Sequence, residues 1–144
     1  MDIAHAIYEV SRDHTFLFIG CIVSSTVAAA VAMVYWQPDG KWFALMTSVW
    51  IAIHGVIAGM LLNHIHVPPV YQLDFVYHHI VCWVGVNIGL DFLYLLIAIY
   101  FIRRSRFLTT IRCLMHGFGV AILAQSITLT GLDTVFLIRM VLID

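Results

Sequence analysis

Apolar residues run along this chain in long blocks, with polar residues gathered between the blocks rather than alternating within them. The first block extends from about Thr15 to Trp36 and stops at Gln37-Pro38-Asp39-Gly40, a cluster that favours a turn. The second runs from Trp42 to about Leu62. It is followed by NHIHVPPVYQ, where Pro68 and Pro69 forbid helix continuation. A third block begins near Leu73 and gives way after Ile102 to Arg103-Arg104-Ser105-Arg106, and a fourth reaches from about Phe107 to Met140, with Gly131 a place to break or bend. A helix needs about 20 apolar residues to cross a hydrocarbon core of about 30 Å, and each block meets that length. The pattern predicts an all-α fold, a four-helix transmembrane bundle with spans at 15–36, 42–62, 73–102 and 107–140. No linker or low-complexity stretch separates the spans, so 1–144 reads as one integral membrane domain.

Composition narrows the function classes. Hydrophobic residues make up 62% of the 144-residue chain and charged ones 10%, far from the balance of a soluble domain. A net charge of -1 offers no field for nucleic acid, and no Cys/His finger spacing suggests it. The opening MDIAHAIYEVSRDH lacks the basic and small-residue regions of a signal peptide, so the first helix is expected to remain as a span. Cys21, Cys82 and Cys113 sit singly in apolar surroundings without CxxC spacing and read as free thiols. Neither a GxSxG elbow nor a phosphate loop is present, which argues against an independent enzyme.

Positive charge sets the expected orientation. Lys41, Arg103, Arg104, Arg106 and Arg112 fall on one side of the spans and only Arg12 and Arg139 on the other, so both termini and the Pro-Pro loop are expected outside. Gly55 and Gly59 in the second span and Gly85 and Gly89 in the third have the small-xxx-small spacing that permits close helix approach. Direct packing of these two spans is therefore expected.

Depth follows from the helical rise. Counted from the inner boundary, His54 lies about 18 Å deep, Asp91 about 18 Å and His116 about 15 Å, with Ser24 and Ser25 near the same level. A charge there costs roughly 2.5 to 3.5 kcal/mol on insertion scales, so Asp91 should face the interior and find a partner, His116 or His54. Asn87, Asp91 and Tyr94 share one face of the third helix. Three roles suit such a polar core of Asn87, Asp91, Tyr94, His116, His54 and Ser25: a hydrogen-bonded network fixing helix register, a redox site, or proton or ion movement through Asp91 and His116. In the redox case His54 and His116 would be haem ligands, or one of them would meet a quinone carbonyl. A second group, His5, His14, His64, His66, His78 and His79, falls at the expected outer face. Of these His64, His66, His78 and His79 are candidate Zn or Cu ligands, with a tolerated amphipathic role at headgroup level as the alternative.

The stretches MTSVWIAIHGVIAGM, VNIGLDFLY and HGFGVAILAQS followed by GLD resemble an uncharacterised family of small bacterial four-helix membrane proteins. The NxGLDxxY run of the third span is the most distinctive part. The resemblance matches Asn87, Asp91, Tyr94 and Gln125 and departs at His54, where the family pattern has asparagine. It implies a bacterial inner-membrane location and brings no assigned reaction. With so little chain outside the spans, the expectation is a non-catalytic subunit or homo-oligomer of a membrane complex, in contact with lipid and other membrane subunits but not nucleic acid.

Overall fold

In the computed structural model the described residues are 3–64 and 73–142. Four helices account for nearly all of them: α1 Ile3–Tyr35, α2 Asp39–His64, α3 Leu73–Ser105 and α4 Arg112–Val141. All four are long and apolar enough to cross a membrane. α1 and α2 form one antiparallel hairpin and α3 and α4 another. α4 is the common neighbour, packing against α3, α2 and α1.

The helix boundaries depart from the apolar blocks in two instructive places. α1 begins at Ile3 instead of Thr15, because Ile7 and Val10 are buried against Phe136, Met140 and Val84 in a small apolar cluster. Polar residues between them do not stop the helix when one stripe is so covered. α4 begins at Arg112, five residues later than the apolar block, since turns occupy the chain between Ser105 and Arg112. It then runs unbroken through Gly131. A single glycine costs a helix only about 1 kcal/mol, which neighbouring contacts outweigh.

The expected glycine contact between α2 and α3 is not how the bundle closes. Side-chain positions at Gly55, Gly59, Gly85 and Gly89 open onto empty space. α2 and α3 meet instead through the edge-on rings of Trp50 and Tyr94, 5.1 Å apart. Apart from Gly40, whose Cβ would meet the Ala32 carbonyl of α1 at the first hairpin turn, the close approaches belong to α4. A Cβ on Gly119 would stand 2.8 Å from Ile102 Cγ1 and 3.1 Å from the Ala98 carbonyl of α3, and one on Gly117 would stand 2.9 Å from Trp42 Cβ of α2. Two glycines one residue apart thus admit two different helices, one on each side.

Large apolar side chains face outward along every helix, including Phe16, Val27, Val56, Phe92, Leu96 and Ile127, whereas Ala44, Ala98 and Ala121 are buried with Thr15, Thr47, Ser105 and Ser126. In water so extensive an apolar surface would drive association. In hydrocarbon it is the expected exterior, and small residues inside let backbones approach. Both hairpin turns lie at one end of the bundle, since Gly117 abuts Asp39 and Phe43. Lys41, Arg103, Arg104, Arg106 and Arg112 gather there.

Candidate functional site

Four ionisable residues, one from each helix, converge on the half of the bundle away from the hairpin turns. His14 Nε2 of α1 lies 3.1 Å from Asp133 Oδ1 of α4, with both side chains largely covered. The His14 ring also rests on Phe136 at 4.2 Å. His54 of α2 is buried between the rings of Phe18 at 5.1 Å and Trp50 at 5.5 Å. Asp91 of α3 is buried as well, and among the described residues its Oδ2 has no hydrogen-bond partner. Asp133 stands at about the same level as His54 and Asp91 along the bundle.

The helical rise explains this level. Taking Asp39 and Gly117 as one plane, His54 stands about 22 Å above it, Asp133 about 24 Å, and Asp91 about 20 Å through the contact of Ile102 with Gly119. Trp50 Nε1 and Thr47 Oγ1, below His54 on α2, are buried without partners too. An unpaired buried polar group costs about 1 to 3 kcal/mol, so three of them on the α2 and α3 faces mark a region kept polar at a cost. A purely structural network would be expected to satisfy its members.

His116 does not belong to this layer. Its Nδ1 lies 2.8 Å from Asp39 Oδ2, with Trp36 edge-on at 5.9 Å, at the hairpin end. The later start of α4 is the reason: His116 sits in its first two turns rather than deep within it. His54 and His116 are therefore separated by about 20 Å along the bundle and do not face one haem iron together. The expected Asp91–His116 pair is replaced by Asp39–His116 below and His14–Asp133 above.

The other expected residues distribute as follows. Asn87 is half-buried one turn from Asp91, and Tyr94 is held by Trp50. Ser25 accepts a hydrogen bond from Gln125 Nε2 at 3.0 Å, which joins α1 to α4 between the two ionisable levels. His78 and His79 are exposed beside the rings of Tyr77 and Phe75. His66 and the side chain of His64 lie outside the described residues. Among the described residues no three His, Cys, Asp or Glu side chains are grouped to hold a metal ion.

Asp133 and His14 were not singled out as partners by sequence reasoning. The available signal was the repeated Gly-Leu-Asp at 89–91 and 131–133, which marks both buried carboxylates of the layer. His14 looked interfacial only because α1 was expected to start at Thr15.

The fold and site define an all-helical chain of four apolar spans closed around ionisable residues. It belongs to the DUF6992 family, a family of unknown function, whose model matches residues 18–134. His54, Asp91 and Asp133 fall within that match and His14 precedes it. No match was found among curated proteins or among solved structures.

Proposed function

We propose that this is an integral protein of the bacterial inner membrane, with both termini outside, that serves as a non-catalytic subunit or homo-oligomer and exchanges a proton through its buried layer. The observation that carries the reading is the convergence of His14, His54, Asp91 and Asp133 from four separate helices, with one carboxylate oxygen of Asp91 left unpartnered among the described residues. Ionisable residues inside membrane bundles are costly and commonly belong to proton or ion pathways. Histidine is the side chain suited to proton transfer at physiological pH, and a carboxylate bonded to it is a common companion in proton relays. Asp133 is the shared member, bonded to His14 and level with the other two, so it takes the place expected of His116 beside Asp91.

Reconstitution into vesicles carrying a pH gradient tests this. Wild-type protein is expected to dissipate the gradient faster than protein-free vesicles, and Asp133→Asn and Asp91→Asn to slow it about tenfold, the effect of roughly 1.4 kcal/mol on a barrier. Equal rates for wild type, variants and empty vesicles would overturn the reading.

A further inference from the structure

Between α1 and α4 a groove of about 210 Å³ opens on the outer surface, lined by His14, Leu17, Gly131, Val135, Phe136 and Arg139. Gly131 opens onto it: a Cβ there would meet nothing within 4 Å. The walls are apolar, and Leu17 and Val135 are more than half exposed on a surface of similar residues. At one end stands Arg139, in the last turn of α4, about 12 Å from Gly131 along the helix.

Among the described residues, charge at that end is incompletely matched. Arg139 bonds Asp13 Oδ2 at 3.0 Å, while Arg12 takes the other oxygen of the same carboxylate at 3.4 Å. Glu9, the next acidic residue on α1, is turned to His5 at 3.5 Å. Two guanidiniums therefore share one carboxylate. A guanidinium has five N–H donors, and Arg139 spends one of them on Asp13. An apolar channel ending in an arginine with donors to spare complements one kind of molecule: an acyl chain carrying an anionic phosphate head, for which arginine is well shaped.

We infer that this groove binds an anionic phospholipid, its chain lying along Gly131 and Phe136 and its phosphate on Arg139. Lipid binding there does not depend on proton exchange at the His14–Asp133 pair, although His14 lines the groove.

The test uses full-length protein in nanodiscs of equimolar phosphatidylglycerol and phosphatidylcholine, with retained lipid identified by native mass spectrometry. Arg103 and Arg104 border a second, more open depression, so both are changed to Gln in every sample. The reference protein is expected to retain phosphatidylglycerol over phosphatidylcholine by about tenfold, equivalent to about 1.4 kcal/mol. Gly131→Leu and, as a second filler of the groove, Leu17→Trp should abolish retention. Gly59→Leu, at an open position elsewhere, should leave it intact. Arg139→Gln should keep lipid but lose the headgroup preference. Equal retention of the two lipids by the reference protein, or undiminished retention in both groove-filling variants, would overturn the proposal, whatever the vesicles report about proton flux.

Discussion

Asp133 carries the most consequence of any residue in this chain. It joins α1 to α4 through His14 and stands level with both Asp91 and His54. Removing one partner of a buried, bonded charge pair strands the other, which typically costs about 3 to 5 kcal/mol. Asp133→Leu is therefore expected to lower the midpoint of unfolding in detergent markedly, and the double variant His14→Phe/Asp133→Leu to recover part of that loss. Additive losses would show that the two side chains do not act as a pair. The Asp39–His116 pair is more exposed, and Asp39 occupies the first turn of α2, where a carboxylate is favoured by the helix N-terminus. A double-mutant cycle there should give a coupling of no more than about 1 kcal/mol. Sequence made His54 and Asp91 legible, since each lies within a block whose boundary was nearly right. It misassigned His14 and His116 because an error of five to twelve residues in a helix start moves a side chain by about one to three turns.

Among the elements, α4 organises the bundle, and its glycines show how. The spacing rule pointed to the four glycines of α2 and α3, which turn outward; the HGFG run at 116–119 contains two that meet the backbones of the neighbouring hairpin and of α3. Spacing alone could not separate them, because it reports that glycines share a helix face but not which face is covered. Gly119→Leu would force its side chain into Ile102 and the Ala98 carbonyl, and overpacking of this kind costs about 1 to 3 kcal/mol or more. Gly89→Ala, with open space at its Cβ, should be neutral or gain up to about 1 kcal/mol of helix propensity. Thermal denaturation of the two variants in one detergent checks both; equal effects would contradict the assignment of α4 as the close-packing helix.

At the scale of the whole molecule, the architecture was the most legible property. Four apolar blocks separated by turn residues and arginines left little freedom in helix number, and the inverted distribution of side chains, large apolar residues outside and small or polar ones inside, follows from lipid as the expected solvent. The level at which the helices meet was not legible, because it depends on helix ends that hydropathy defines poorly. The five cations at the hairpin end give an orientation test: a cysteine introduced at Lys41 should be labelled from the cytoplasm and one at Ile3 from outside. The reverse pattern would invert the proposed topology. The most direct test of the central claim, that the layer exchanges protons with its surroundings, is infrared difference spectroscopy of the protein in bilayers between about pH 5 and pH 8, the range in which histidine commonly changes charge. A pH-dependent carboxyl band that moves in heavy water and is diminished in both Asp91→Asn and Asp133→Asn is the expected result. An identical difference spectrum in wild type and both variants would contradict it.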